Sequence, residues 1–582
     1  MPSVRDEKEK LPKNPLNNIA ISLSGGGFRA TAFHLGLLTY LSTKKYNDTS
    51  LLERTRILST VSAGTFVGVK YITTIKKGGT IQHCYNDVYN IMTTCDMVSE
   101  SLKRLSDDAL WKDQRLRSLI NSFADLYYEK FESALFEILW DESMPIHVKE
   151  IIFNATEFNF GLPFRFQKSE QMQQEFVGNN KIHIPIEVAK EIRLADIIAA
   201  SSCFPFGFEP INFPDDFIHA NANKLRDFSL LPQNVSDGDE IHYPIGLMDG
   251  AIDDNQGVGG ILIGEEKMRR YPKELQHFKS DDDKAVDLYI ISDASTPKIE
   301  RFNRTPNEKI KFVGNWTFES VKYFGTVSAL MGASSIFYAF FAEYKTSIIA
   351  LTIFGSFGLL IAVILLIISL VITGLARQMG IPEFAVKRLL NFNKIKLSTL
   401  YNLMVNRKKS TMALVSDVLL KHMRWFSYDR VYNDPKWRPR LIMNAIFEFM
   451  PDEVKKRQIK YPYLNKEILK PGKKIVEATI KANKMGTRLW FVRDELTQHN
   501  NLPDTLIACG QYTTCFSILE YIEKIIKHDK HADSFNKYSH EQKETLYQLE
   551  KELLDDWRKF KENPYWMVQE WNEERLKSSG TS

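Results

Sequence analysis

The sequence has little cysteine, little net charge and no apolar run at its start. Its five cysteines, Cys84, Cys95, Cys203, Cys509 and Cys515, are odd in number and lack paired metal-ligand spacing, which argues against a disulfide framework and for a reduced compartment. The 76 basic residues nearly balance the 72 acidic ones, leaving a formal charge of +4. A dedicated nucleic-acid surface is therefore not expected, and no nucleic-acid partner with it. The opening MPSVRDEKEKLPKN is polar and charged where a secretory signal needs an apolar run, so the soluble part is expected to lie in the cytoplasm. Internal repeats and long low-complexity tracts are also missing.

What is present in quantity is apolar sequence: 44% of the residues are hydrophobic, ample for a large core. One run stands apart. Thr346 to Leu375 holds 30 residues without a charge, more than the roughly 20 that a bilayer-crossing helix needs. Tyr323 to Ala342 is also uncharged but richer in Gly and Ser, and only Glu343, Tyr344 and Lys345 separate the two. It reads either as a second crossing or as a re-entrant or soluble helix. Lys298, Arg301, Arg304, Lys309, Lys311 and Lys322 precede the pair, and Arg377, Lys387, Arg388, Lys394, Lys396, Arg407, Lys408 and Lys409 follow it. Cytoplasmic loops carry the Lys/Arg excess, so both flanks are expected on one side, which two crossings joined by a tight turn satisfy. Gly325, Gly332, Ser334 and Ser335 would let the first helix approach Gly355 and Gly358 of the second. The basic stretch beyond the pair either fixes topology or also attracts anionic headgroups.

Three short stretches carry chemistry. The apolar run Ile19 to Leu23 leads into Ser24 and the glycines Gly25, Gly26 and Gly27, then into a helix expected over Phe28 to Leu41. A strand, glycine turn and helix leave free N–H groups beside a helix N-terminus, where negative charge is stabilised. Neither a GKS/GKT P-loop nor a G-x-G-x-x-G spacing is present. In TRILSTVSAGTFVG a second strand-like run ends at Ser62, followed by Ala63, Gly64 and a helix expected to reach Lys76, the pattern of a nucleophile elbow. In LMDGAIDDNQG, Asp249 stands on a tight Asp-Gly turn, either an acid placed to take a proton from a serine or a turn cap.

In this order the three stretches resemble the patatin-like phospholipase family, including its cytosolic phospholipase A relatives. The family's Gly-rich oxyanion loop and its basic residue map onto Gly25, Gly26, Gly27 and Arg29, its nucleophile onto Ser62 and its dyad carboxylate onto Asp249. Phe158 to Gln167 and Ala199 to Pro210 resemble further family stretches, Asp254, Asn255 and Gly257 its DN-x-G, and Val286 to Thr296 the strand that follows. Leu506 to Leu519 resembles a late helix of the same domain. Two positions depart: Thr60 replaces the elbow's first glycine and Ala251 the second glycine of DGG. The resemblance implies an α/β fold, a three-layer sandwich around a mostly parallel sheet, and serine acyl transfer without histidine or cofactor. Its substrate would be a phospholipid or other acyl-ester lipid. Arg29 would serve a lipid phosphate, the loop or a structural salt bridge, and His34 would be a packed core histidine.

The expected organisation is a polar tail over 1–16 and a catalytic domain over 17–322 with a helical insertion at about 84–150. A transmembrane hairpin over 323–376 and a helical C-terminal region over 377–582, partly completing the catalytic domain, follow. The insertion, with Leu116, Leu119, Phe123 and Tyr127 recurring at helical spacing, is either core packing or a lid. Leu546, Leu549, Leu553, Trp557 and Phe560 form a near-heptad stripe that packs on the domain or pairs two copies as a homo-oligomer. Two other functional readings stand beside the dyad: a Ser-Asp-His esterase using His277 or His422, and an inactive hydrolase domain that binds lipid or signals at the membrane.

Overall fold

The computed structural model describes residues 11–111, 115–131, 133–170, 176–205, 207–234, 240–270, 285–295, 315–378, 396–460, 464–528 and 531–579. The chain forms two compact units, Met1–Lys298 with Leu419–Ser582, and Ile299–Val418.

The first unit is built on a ten-stranded sheet. Its strands are β1 (Ile19–Leu23), β2 (Thr55–Val61), β3 (Glu150–Glu157), β4 (Leu162–Lys168), β5 (Phe176–Gly178), β6 (His183–Pro185), β7 (Ile211–Phe213), β8 (Ile245–Asp249), β9 (Leu288–Asp293) and β10 (Leu441–Ala445). They lie in the order β10-β9-β1-β2-β3-β4-β5-β6. The five from β10 to β3 are parallel, and β4 to β6 are antiparallel. Strand β8 runs antiparallel along β3, with β7 outside it. The result is an α/β fold with a mostly parallel central sheet.

Both faces of the parallel part are covered, which is why these strands read as apolar runs rather than as alternating ones. Ile19, Ile21, Leu23, Leu58, Leu288 and Ile290 belong to the main core. Their immediate sequence neighbours Ala20, Ile57, Tyr289 and Ile291 point into a second core beneath the sheet. On the main face lie α1 (Gly27–Thr43), α2 (Ala63–Lys76), α3 (Ile81–Thr94), α4 (Met97–Ser106), α5 (Leu119–Lys130) and α6 (Leu194–Ser202); α7 (Val258–Arg269) covers the other. In the helical insertion Phe123 and Tyr127 are buried, with the Tyr127 ring 5.9 Å from Phe66 of α2. Leu116 is instead 60% exposed, because Ser118 caps α5 and leaves Leu116 ahead of the helix.

In the second unit α8 (Phe318–Ala339) and α9 (Lys345–Gln378) pack along each other. A Cβ on Gly332 would stand 2.8 Å from the Gly355 carbonyl oxygen, and one on Gly358 3.2 Å from the Gly332 Cα. The glycines thus bring the backbones into contact. Among the described residues one helix is long and apolar enough to cross a membrane, over Lys345–Ile367 with mean hydropathy 2.7. Helix α8 carries Glu319 and Lys322 in its first turns, and the two crossings expected from the sequence are met by a single qualifying helix. Of the flanking basic residues, Lys298, Arg301, Arg304, Lys309, Lys311, Lys387, Arg388 and Lys394 lie outside the described residues.

After this unit the chain returns to the sheet. Helix α10 (Leu420–Tyr432) packs under it, β10 extends it, and α11 (Leu502–Lys527) crosses α1 on the main face. At that crossing a Cβ on Gly510 would lie 2.0 Å from the Phe33 carbonyl oxygen, and one on Gly36 2.1 Å from that of Ile507. Only paired glycines permit so close an approach. Helix α12 (His540–Glu562) buries Leu546, Leu549, Leu553, Trp557 and Phe560 within the chain, with Trp557 against Phe449 and Phe516.

Candidate active site

The register of three strands brings Ser62 to Asp249. The first half of β3 pairs with β2, ending at Val61 opposite Asn154. Its second half pairs along the same edge with β8, which ends at Asp249 opposite Ala155. Strands β2 and β8 therefore run head-on into one another, and the residues at their C-terminal ends meet. A Cβ on Gly250 would lie 2.5 Å from the Asn154 carbonyl oxygen and 3.2 Å from Val61, so the collision point requires the glycine of the Asp-Gly turn.

Ser62 takes φ 54° and ψ −124° between β2 and α2, a backbone conformation that non-glycine residues rarely adopt. Its N–H donates to Ser201 Oγ at 2.9 Å, and its carbonyl accepts from the Thr65 N–H at 2.8 Å. Ser201 Oγ in turn donates to the Asn154 carbonyl at 2.6 Å. With its one proton spent there, Ser201 must accept from Thr65 Oγ1 at 2.8 Å, and Thr65 from Thr60 Oγ1 at 2.9 Å. The Thr60 side chain is thus the start of a hydroxyl chain that braces the turn. Its methyl has room because residue 68 is glycine, where a Cβ would lie 2.6 Å away. Gly64 is needed as well, since a Cβ there would stand 2.4 Å from the Leu23 carbonyl oxygen.

Ser62 Oγ donates to Asp249 Oδ2 at 2.8 Å. Asp249 Oδ1 accepts from the Ala251 N–H at 2.8 Å. The carboxyl is 1% exposed, and burial pushes its pKa up to about 7 against the lowering effect of those two hydrogen bonds. Among the described residues no histidine bonds to either side chain. His34 is fully buried between the Ser24 carbonyl and Ser292 Oγ, both at 2.9 Å, and burial lowers its pKa to about 4. His422 contacts the Phe426 ring, and His277 lies outside the described residues.

The glycine turn lies directly over the serine. A Cβ on Gly25 would come within 3.0 Å of Ser62 Cβ and 2.7 Å of Asn255 Oδ1. The Gly25 N–H is committed, donating to the Asn255 carbonyl at 3.2 Å. Gly26 and Gly27 have φ of 146° and 62°, and among the described residues their N–H groups have no acceptor. Gly26 is the partly exposed member. A Cβ on Gly27 would strike the backbone of Thr487 and Arg488 at 2.6–2.7 Å, and the Phe28 N–H donates to the Arg488 carbonyl at 2.9 Å. Arg29 turns inward: it is 3% exposed and donates from Nη1 to the Met485 carbonyl at 2.8 Å. Burial lowers its pKa to about 10, partly opposed by Asp293.

Sequence reading did not find Ser201, Asn154 or the Met485–Arg488 segment as parts of this arrangement. Ser201 stands in the AASS stretch already singled out, but nothing local marks its contact with Ser62. Asp254 and Gly257 place α7: Asp254 Oδ2 accepts from the Gly259 N–H at 2.6 Å, and Gly257 takes φ 67° with Ser59 Oγ where a Cβ would stand.

An α/β sheet that places a strained serine, a buried carboxylate and free turn amides at one edge has the parts of a serine acyl-transfer site. Residues 21–259, which include all three, match the patatin-like phospholipase family model. No curated protein matches the chain.

Proposed function

We propose that this chain is a membrane-associated serine lipid acyl hydrolase of phospholipase A or lysophospholipase type, acting through a Ser62–Asp249 dyad. The observation that carries this reading is the 2.8 Å hydrogen bond from Ser62 Oγ to a carboxylate whose pKa of about 7 suits a general base near neutral pH. Asp249 takes the hydroxyl proton as Oγ bonds to the ester carbonyl carbon. The carbonyl oxygen becomes an oxyanion, held by the N–H groups of Gly26 and Gly27 and of Ala63 at the start of α2. Gly25 leaves space for the reacting hydroxyl and completes the turn. The leaving alcohol takes the proton from Asp249 as the ester C–O bond breaks. Water then repeats the sequence on the acyl-serine, releasing the fatty acid and restoring Ser62. Arg29, turned onto the Met485 carbonyl, supports the loop rather than a lipid phosphate.

We further propose that α8 crosses the bilayer beside α9 as a hairpin, with the catalytic unit on the cytoplasmic side. The supporting observations are the contact at Gly332, Gly355 and Gly358 and the Lys/Arg excess on both flanks. The catalytic domain would then begin near residue 17, be interrupted over 323–376 and be completed from 377–582.

The decisive experiment compares fatty-acid release from phospholipid bilayers by the purified full chain and by Ser62→Ala. The variant is expected to lose at least about a thousandfold in rate while keeping its fold, as checked by circular dichroism. Unchanged release overturns the proposal.

A further inference from the structure

Between the apolar run and β10 lies α10, a helix that the acyl-transfer chemistry does not use. Along α10, Arg424, Ser427, Tyr428 and Val431 repeat at three and four residues and face the catalytic unit. Tyr428 OH donates to Asp293 Oδ2 at 2.6 Å, Ser427 Oγ to Asp254 Oδ1 at 3.2 Å, and Arg424 Nη1 lies 3.8 Å from Asp293 Oδ2. Val431 is 1% exposed. The opposite face carries Trp425 and Phe426, exposed by 71% and 70%. Two adjacent large aromatics held out into solvent by a helix clamped on its other side are an interaction surface.

Its chemistry selects the partner. Along α10 the sequence holds three basic residues, Lys421, Arg424 and Arg430, against one acidic residue, Asp429. Aromatics on one face with a basic excess around them are the composition of a helix lying in a membrane interface, where tryptophan sits at headgroup level and lysine and arginine meet anionic lipids. The same chain contains a helix of bilayer-crossing length and hydropathy. We propose that α10 rests on an anionic bilayer surface, with Trp425 and Phe426 immersed at headgroup depth; this rests on the proposed lipid substrate for its biological sense but not for its test.

The location gives the contact a consequence. Asp254 precedes Asn255, whose carbonyl holds the Gly25 N–H, and Asp293 precedes Ala294, whose N–H donates to Ser24 Oγ at 2.9 Å. The helix that meets the lipid thus grips both supports of the glycine turn.

The test uses the full chain in the Ser62→Ala background, so that no lipid turns over. Trp425→Cys and, separately, Phe426→Cys are spin-labelled; the five native cysteines are buried, which directs the label to the new site. Tyr547→Cys, on exposed α12 surface, is the water control. In nanodiscs of phosphatidylcholine with phosphatidylserine, labels at 425 and 426 are expected to gain oxygen access and lose nickel-chelate access relative to 547. The shift should shrink in phosphatidylcholine alone. Labels as water-exposed as 547 in both bilayers overturn the proposal. So does shielding from both reagents, as a protein partner would give, or an immersion independent of phosphatidylserine. None of these outcomes alters what Ser62→Ala says about hydrolysis.

Discussion

Two buried carboxylates end two strands of the same sheet, and their surroundings differ. Asp249 closes β8 and Asp293 closes β9, with 1% and 0% exposure. Among the described residues the Asp249 carboxyl accepts from the Ala251 N–H and the Ser62 hydroxyl alone, and no cation contributes to its pKa. Asp293 accepts from Tyr428 OH, the Ser295 N–H and Ser295 Oγ, with Arg424 at 3.8 Å. A carboxylate already committed to several donors and a guanidinium holds structure together. One left with a single exchangeable proton partner is free to take that proton. The difference lies in what each turn brings near, because burial is the same.

The comparison is broken most directly by replacing each acid with its amide. Asp249→Asn is expected to lower ester hydrolysis by about 10⁴-fold, the scale seen when a buried catalytic carboxylate is neutralised. The same variant tests the pKa of about 7 through stability. Below the ordinary carboxylate pKa of 3.8 both folded and unfolded wild type hold the proton. Between there and about 7 only the folded state does, so wild-type stability falls as pH rises through that window. Asparagine has no such proton, and the melting temperature of the variant relative to wild type should rise from pH 4 to 7 and then level. A smaller effect follows for the wild type: kcat/KM should fall about tenfold per pH unit below pH 7, as the base is protonated. Smallest in activity is Asp293→Asn, expected to cost about tenfold or less in hydrolysis. It should destabilise the fold by about 1–3 kcal/mol by weakening buried hydrogen bonds, as measured by denaturant unfolding. Equal losses of activity in the two amide variants would erase the distinction.

Local signals made much of this legible. The five-residue runs ending in glycine or serine gave β1, β2 and the helices after them, because a short apolar strand followed by a tight turn has few other uses. Helix α1 begins at Gly27, one residue before the expected Phe28, and α2 at Ala63, two residues before the helix expected after Gly64. Ser62 and Asp249 were each visible as turn residues. Their meeting was not, since it depends on β2 and β8 sharing one edge of β3, a fact of pairing rather than of composition. Thr60 illustrates the same limit: its methyl looks obstructive in the sequence and fits only because of Gly68. Strand β10 and the Met485 to Arg488 segment stayed hidden, for they reach the sheet and the glycine turn from the far side of the apolar run.

That last arrangement has a consequence for the order in which a ribosome makes the protein. The turn over Ser62 is shaped by Arg488 and Thr487, and Arg29 Nη1 donates to a carbonyl 456 positions later. A nascent chain therefore possesses its serine and its acid long before it possesses the segment that seats the turn above them. The bilayer-length helix is synthesised in between, so on the proposed membrane topology the chain meets the bilayer before the segment that seats the turn exists.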